Sequence, residues 1–282
     1  MTNNESSPEN VEEEDLTIHP LRMLKFKDYI TFTGTLFGVF AILVAINGVY
    51  QWLACIFIFI ATGCDLLDGT VARKFHQHNA IGGELDSLSD VIVFSVAPAA
   101  LMYSVYSAFL KGTWGFPLLL ACTAFYVFCG VLRLAWFNVN KDAEGYTGLV
   151  VPLAALFMVV YYLFDFFLDV VGWSPAYDRF LHYFAPFYMI IIGIFQIAPF
   201  LIYDKLVKKK QGIVKYAIYY AAITGIAIVI LGIVFYQQAA AFTLAIIIEG
   251  FALLSIYVIL GFRNFLRAKR QMPTTTQAVE EN

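Results

Sequence analysis

A chain of 282 residues in which 60% are hydrophobic and only 14% are charged is too apolar for a water-soluble domain, so its composition predicts a membrane protein with several spanning helices. The net charge of -3 arises from acidic residues that gather in the tails and basic residues that gather at the ends of apolar stretches, and it indicates no nucleic-acid partner.

The hydropathy pattern divides the chain into five regions. The first twenty residues are polar and acidic and lack the apolar core of a signal peptide, so we expect a disordered tail there. Basic and apolar residues alternate before the first apolar stretch, which favours an interfacial amphipathic helix or a simple charge anchor. The regions are the tail at 1–20, the interfacial segment at 21–28, a core of six spanning helices at 29–212, an additional helix pair at 213–266 and a second tail at 267–282.

About 20 apolar residues span a bilayer as a helix, and the sequence contains eight such stretches. The predicted helices are 29–47, 50–73, 84–110, 114–137, 146–171, 180–203, 213–237 and 239–265. With alternating crossings, all but two of the 18 Lys and Arg residues fall on one side of the membrane. The positive-inside rule therefore places both termini, and the link between the second and third helices, on the cytoplasmic side.

Four aspartates interrupt the second and third apolar stretches. Asp65 and Asp68 are three residues apart and share one face of the second helix. Asp86 and Asp90 are one turn apart on the third helix. A hairpin through the polar link 74–83 would bring the four carboxylates together near one membrane surface. Each carboxylate at membrane depth costs about 2.5 to 3.5 kcal/mol, and crowded carboxylates repel one another, so a cation must lie among them.

The type of ligand indicates the type of cation. Hard oxygen ligands suit Mg²⁺ or Mn²⁺, which keep coordination positions for substrate phosphates. The four aspartates therefore indicate a metal-dependent enzyme that acts on a phosphate compound. The alternative for the same residues is the proton or cation pathway of an intramembrane transporter.

The spacing D-x2-D-G-x2-A-R-x8-G-x3-D-x3-D resembles the signature of the CDP-alcohol phosphatidyltransferases. The residues that fill it are Asp65, Asp68, Gly69, Ala72, Arg73, Gly82, Asp86 and Asp90. The resemblance implies an all-α membrane core of six helices that forms a homodimer, and in this chain two C-terminal spanning helices would be added to that core.

The resemblance also implies roles for these residues. The ligands expected for two metal ions are Asp65, Asp68, Asp86 and Asp90. The residues expected to bind the nucleotide and its diphosphate are Asp65, Gly69, Ala72, Arg73 and Gly82. Asp90 is also the expected general base, since the attacking alcohol must lose its proton to a nearby group. Arg73 carries a fork of donors that matches a phosphate group.

Two further stretches resemble the serine-using branch of the same family. They contribute Arg133 and Asn138 in CGVLRLAWFNVN, and Gly148, Leu149 and Pro152 in YTGLVVPLAA. Arg133 is accordingly a candidate to bind the carboxylate of serine or the phosphate of the lipid. A helix-end arginine that extends toward water explains the same residue equally well.

Two positions depart from these patterns. Gly34 stands where the resemblance predicts an asparagine, which puts in doubt any polar contact that the asparagine would make in the nucleotide pocket. Glu249 falls inside the eighth predicted helix with no basic residue one turn away. A protonated glutamate that is hydrogen bonded to another helix is the simpler interpretation.

The implied reaction is attack of the L-serine hydroxyl on CDP-diacylglycerol or CDP-archaeol, which releases CMP and leaves a serine phospholipid in the membrane. Inositol phosphate and glycerol phosphate are alternative acceptors. These acceptors demand several basic residues near the pocket, and the sequence offers mainly Arg133 and Lys141. The predicted partners are thus a CDP-lipid, serine, membrane lipids and a second copy of the chain.

Overall fold

The computed structural model describes residues 24–75, 80–140, 145–172, 175–204 and 240–271, and within these ranges most residues are helical. The helices are α1 (Phe26–Asn47), α2 (Gln51–Phe75), α3 (Ala80–Asp90), a π-helical segment (Val91–Val96), α4 (Ala97–Leu110), α5 (Gly115–Val139), α6 (Val151–Val171), α7 (Pro175–Ile197) and α8 (Ala240–Gln271). The strands β1 (Gly145–Thr147) and β2 (Ile202–Asp204) form a short antiparallel pair.

Seven stretches of these helices are long and apolar enough to cross a membrane. One of them, Ile81–Leu110, is a continuous run through α3, the π-helical segment and α4. A helix satisfies its backbone N–H and C=O groups internally, which the apolar interior of a bilayer requires. The prediction of an all-α polytopic membrane protein is therefore confirmed. The crossing predicted at 213–237 lies outside the described residues, as do most of the two predicted tails.

Two predicted crossings differ from the observed helices in where they begin or end. The crossing predicted at 146–171 begins only with α6, because Gly148 has a φ of 78°, a left-handed conformation that interrupts a helix. Pro152 then favours the first turn of the new helix. The crossing predicted at 180–203 corresponds to α7, which begins and ends earlier. The residues before α6 and after α7 form β1 and β2 instead, with Gly145 opposite Asp204.

Small residues form the packing face of α1. Those buried along it are Gly34, Gly38, Ala41 and Ala45. A Cβ atom at Gly38 would lie 2.8 Å from Cγ2 of Val93 in the π-helical segment. Small residues let membrane helices approach closely, so α1 packs directly against α2 and the α3 to α4 run.

The core of the bundle surrounds α6, where most residues are buried. The ring of Tyr161 on α6 stacks on the ring of Tyr188 on α7, with centroids 4.5 Å apart. Each hydroxyl donates to a backbone oxygen of the other helix, Tyr161 to Leu181 at 2.7 Å and Tyr188 to Phe157 at 3.1 Å. These bonds satisfy the two buried phenols and fix how α6 and α7 pack.

Consecutive spanning helices run in opposite directions, so helices that begin at one end of the bundle alternate with helices that finish there. At one such end, α1, α3 and α6 begin and α2, α5 and α7 finish. The β1–β2 pair lies at this end as well, since it links α5 to α6 and follows α7. The fold thus gathers the last turns of α2 and the short helix α3, which carry the four aspartates, toward one end of the molecule.

Candidate active site

Four aspartates from two helices meet at one cavity. Asp65 and Asp68 on α2 and Asp86 on α3 each offer a carboxylate oxygen, and these three oxygens all lie within 4.8 Å of one another. Asp90, one turn further along α3, lines the same cavity. Thr31 of α1 also contributes to its wall. The hairpin predicted from the sequence therefore does bring the four carboxylates together.

The position and composition of the cluster suit a divalent metal ion. Asp65 lies ten residues, or about 15 Å of helix, before Phe75 at the end of α2. Asp68 is buried, and none of the residues that line the cavity is basic. Several carboxylates this close together and this deep repel one another unless a cation neutralises them. Three hard oxygen donors near a common point fit that requirement, so these aspartates could hold a divalent metal ion.

The first turns of α1 support the cluster. The Thr31 hydroxyl donates a hydrogen bond of 2.6 Å to the Oδ2 atom of Asp68. One turn earlier, the Lys27 ammonium forms a buried ion pair of 2.9 Å with Asp28. The Lys25 backbone N–H also donates to Asp28, at 2.7 Å, which fixes the start of the helix.

These contacts go beyond the sequence-based prediction for this segment. The sequence predicted an interfacial segment or charge anchor at 21–28, yet Lys27 and Asp28 are both buried in the structure. The available signal was the spacing of Lys27, Thr31, Gly34 and Gly38, which places all four on one face of α1. The sequence thus predicts the helix face on which Thr31 lies, but not its hydrogen bond to Asp68.

Hydrogen bonds to helices on either side hold α3. The Thr35 hydroxyl of α1 donates to the Ser89 hydroxyl at 2.8 Å. The Asn138 amide of α5 donates to the Ser87 hydroxyl, also at 2.8 Å. Asn138 is one of the residues that resemble the serine-using branch. Since both serines lie between Asp86 and Asp90 along the helix, these bonds fix the rotation of α3 and so the direction of both carboxylates.

The residues predicted to contact the nucleotide lie beside the cluster. Gly69 is half-buried, and Ala72 and Gly82 are buried near the helix ends. Arg73 belongs to the last turn of α2, and the position of its side chain lies outside the described part of the structure. Gly34 lines the cavity, and a Cβ atom there would lie 3.1 Å from Cβ of Cys64. The close approach of α2 therefore leaves little room at this position for an asparagine.

A π-helical segment begins directly after Asp90. Its backbone bonds run to the fifth preceding residue, as in the Ala97 N–H bond to the Ile92 carbonyl. The Tyr126 hydroxyl of α5 donates to the Phe94 carbonyl at 3.0 Å, which provides a further contact to this segment. Single turns of π-helix are frequent at functional sites, and nothing in the sequence pattern indicated this one.

Arg133 of α5 is a charged residue close enough to Asp90 to act on its carboxylate. Its side chain is buried within the bundle, and its charge interacts with the Asp90 carboxylate. A helix-end arginine that extends to water would be exposed, so the structure does not support that interpretation. Arg133 is instead a buried cation near Asp90, the carboxylate that the family resemblance predicts to be the general base.

Known proteins resemble the chain over the helices that build this site. The sequence profile of the CDP-alcohol phosphatidyltransferase family matches residues 26–194. Archaetidylserine synthase of Methanothermobacter thermautotrophicus is 38% identical over 151 residues, which is 51% of this chain and 60% of that protein. CDP-diacylglycerol–serine O-phosphatidyltransferase of Methanocaldococcus jannaschii is 36% identical over 139 residues, 49% of this chain and 60% of that protein. The Bacillus subtilis protein of the same name is 35% identical over 109 residues, 38% of this chain and 58% of that protein. The chain thus spans about three fifths of the length of these relatives.

Proposed function

Because the chain belongs to the CDP-alcohol phosphatidyltransferase family, we propose that it transfers a phosphatidyl or archaetidyl group from a CDP-linked lipid to L-serine and releases CMP. The observation that carries this proposal is the meeting of three aspartate side chains near one point, with Asp90 at the same cavity. This arrangement would supply ligands for metal ions that bind a diphosphate, with the Asp90 carboxylate near an attacking alcohol.

Two observations favour serine as the acceptor. The relatives named above are serine phosphatidyltransferases or an archaetidylserine synthase. Arg133 is buried near Asp90, and its guanidinium group matches the carboxylate of an amino acid. An acceptor such as glycerol phosphate or inositol phosphate carries a dianion, of which the single charge of Arg133 balances only part. These acceptors are therefore the alternative within the same chemistry.

The aspartates would hold the divalent cations. We assign Asp65, Asp68 and Asp86 to a shared Mg²⁺ or Mn²⁺ site, with Asp90 contributing to a second ion. When bound, the metal supplies positive charge that neutralises the diphosphate and polarises its phosphorus. The hydrogen bond from Thr31 holds Asp68 in the orientation that such a ligand needs.

The residues of the chain then position the acceptor and move its proton. Asp90 accepts the proton of the serine hydroxyl as that oxygen forms a bond to the phosphorus that carries the lipid. The bond between this phosphorus and the bridging diphosphate oxygen breaks, and CMP leaves with the electron pair. Gly69, Ala72 and Gly82 leave space for the nucleotide beside the cluster, and Arg73 binds its phosphate.

The membrane placement follows from the charge distribution and the family. We propose that both termini and the active site face the cytoplasm, since the predicted crossings put nearly all Lys and Arg residues on the same side of the membrane as the link between the second and third helices. A cytoplasmic site has direct access to serine and to CDP-linked lipid in the inner leaflet. The family resemblance supports a homodimer as the functional assembly.

One assay tests the proposal. Purified protein in mixed micelles is supplied with CDP-diacylglycerol or CDP-archaeol, serine and Mg²⁺ or Mn²⁺, and the release of CMP is measured. We expect release that requires the lipid, the metal and serine together. Release that is equal without serine, or that requires glycerol phosphate or inositol phosphate instead, would refute the assignment of the acceptor. Cation flux through liposomes without any CMP release would identify a transporter.

A further inference from the structure

Two buried polar side chains lie between the π-helical segment, α5 and α7. Gln196, near the end of α7, is 1% exposed, and Ser95 of the π-helical segment is fully buried. Within the described part of the chain, three buried polar atoms of these two side chains have no hydrogen-bond partner. They are the Nε2 and Oε1 atoms of Gln196 and the Oγ atom of Ser95. Leaving a buried amide or hydroxyl unpaired costs about 1 to 3 kcal/mol. Such groups therefore point to a partner from outside the chain.

Both side chains face the same position on α5. A Cβ atom at Gly130 would overlap the Ser95 Oγ atom and would lie 3.1 Å from the Gln196 Oε1 atom. Glycine at this position is what lets the two polar groups come together there. The hydroxyl oxygen and the amide oxygen thus form a pair of neutral acceptors at one point.

This pair lies close to the groups that we assign to the acceptor. Gly130 and Arg133 are three residues apart on α5, so they share a helix face. Arg133 interacts in turn with Asp90. Ser95 follows Asp90 by five residues, which in a π-helix is close to one full turn. The polar pair therefore lies against the helix that carries Arg133, close along the chain to Asp90.

The backbone around Gln196 is fixed by the segment that precedes α6. Gly148 has a left-handed conformation, and a Cβ atom there would overlap the backbone oxygen of Gln196. The Leu149 N–H donates to the Phe195 carbonyl at 2.7 Å. These contacts hold the end of α7 in place, so the Gln196 amide is presented by a rigid backbone.

We propose that Gln196 and Ser95 bind the ammonium group of the acceptor amino acid, while Arg133 binds its carboxylate; this inference rests on the proposed function. An ammonium group is a donor only, and it requires acceptors such as the Gln196 Oε1 and Ser95 Oγ atoms. The acceptor hydroxyl then faces Asp90. A phosphorylated polyol offers these acceptors only neutral hydroxyl donors, which bond more weakly than an ammonium group, so this pair favours a small zwitterionic alcohol.

The test compares Gln196→Leu and Ser95→Ala with two control variants of the same residue types. Gln51→Leu and Ser104→Ala are the controls, because Gln51 donates to Ser104 at 3.0 Å at the opposite end of the bundle. The measurements are the KM for serine, the KM for the CDP-lipid and the melting temperature of each purified protein. We expect the KM for serine to rise about 10- to 100-fold in Gln196→Leu, as a lost hydrogen bond to a charged group predicts. The KM for the CDP-lipid and both controls should stay near the wild-type values.

Two competitors separate the ammonium contact from the carboxylate contact. 3-Hydroxypropionate is serine without its ammonium group, and its inhibition constant should be the same for the wild type and Gln196→Leu. Ethanolamine lacks the carboxylate, and its inhibition constant should rise in Gln196→Leu but not in Arg133→Ala. Both results together would support the assignment.

Other outcomes overturn it. An unchanged KM for serine in both variants, or equal weakening of serine and 3-hydroxypropionate, would remove Gln196 and Ser95 from the acceptor site. A rise in both KM values with a lower melting temperature would show a structural role. If Gln196→Leu does not fold, Ser95→Ala carries the same test with Gln196 intact. A wild-type protein that releases no CMP with serine would instead refute the proposed function, and this inference with it.

Discussion

Replacing Thr31 with valine tests whether α1 supports the metal site. Valine has nearly the same shape as threonine but lacks the hydroxyl that donates to Asp68 at 2.6 Å. Both residues are buried, so water does not readily replace the lost donor. A hydrogen bond to a charged group contributes about 1.5 to 3 kcal/mol, and a lost partner of a metal ligand typically weakens metal binding about 10- to 100-fold. We therefore expect Thr31→Val to bind Mn²⁺ about 10- to 100-fold more weakly than the wild type.

The assay measures the metal rather than turnover. Electron paramagnetic resonance of free Mn²⁺ gives its dissociation constant for the purified protein, and the Mn²⁺ dependence of CMP release gives an independent value. Thr33→Val is the matched control, because the Thr33 hydroxyl is exposed and donates only to the Tyr29 carbonyl of its own helix. The control should bind Mn²⁺ like the wild type.

One result would contradict this reasoning about Thr31. If Thr31→Val and Thr33→Val bind Mn²⁺ equally well and have equal melting temperatures, the bond to Asp68 does not orient a metal ligand. A loss of melting temperature in Thr31→Val with unchanged Mn²⁺ affinity would assign the bond to helix packing alone.

Three further variants probe other parts of the molecule. Asp90→Asn should lower kcat by at least about 100-fold, since the general base is lost, while CDP-lipid still binds; substantial remaining turnover would contradict the role of Asp90. Gly148→Ala should lower the free energy of unfolding by about 1 to 3 kcal/mol from backbone strain alone. It should also raise the KM for serine, because the added Cβ atom displaces the end of α7. A wild-type melting temperature would argue against this. Asp165→Ala removes the buried contact of 3.4 Å between Asp165 and the His182 ring, so it should lower the melting temperature. It should leave both KM values unchanged, because Asp165 lies 14 residues, or about 21 Å, from the end of α6 nearer the aspartates.

The sequence predicted the parts of the structure that depend on local spacing. Seven of the eight predicted crossings correspond to observed helices, because a spanning segment must be long, apolar and internally hydrogen bonded. The pairing of Asp65 with Asp68, and of Asp86 with Asp90, follows from helical periodicity, and a short link is enough to bring the two pairs together. The metal-binding function assigned to them from this spacing is still a prediction.

The features that the sequence did not predict depend on contacts between distant segments. Thr31 donates to a residue 37 positions away, and Gln196 faces a glycine on another helix. The β1–β2 pair joins segments that the hydropathy pattern assigned to helices, because tertiary pairing overrides local preference there. The π-helical segment has the sequence VIVFSV, which gives no sign that the helix changes its hydrogen bonding there. In each case the residue type was visible in the sequence, but its partner was set by how the helices pack.

In the proposed site, Asp90 would connect the metal ligands with the residues assigned to the acceptor, and this keeps the two sets of anions apart. A serine carboxylate near the metal ligands would compete with the diphosphate for the cations, since both are oxygen anions. In the proposed site, Arg133 and the Gln196–Ser95 pair would offer the acceptor its own partners away from the metal ligands, so only the hydroxyl would need to approach the phosphorus. The π-helical segment contributes to this separation, because it follows Asp90 directly and turns Ser95 toward α5 while Val93 faces α1. A regular α-helix would direct these side chains differently, so in the proposed mechanism the irregular turn after Asp90 would let one helix contact both substrates.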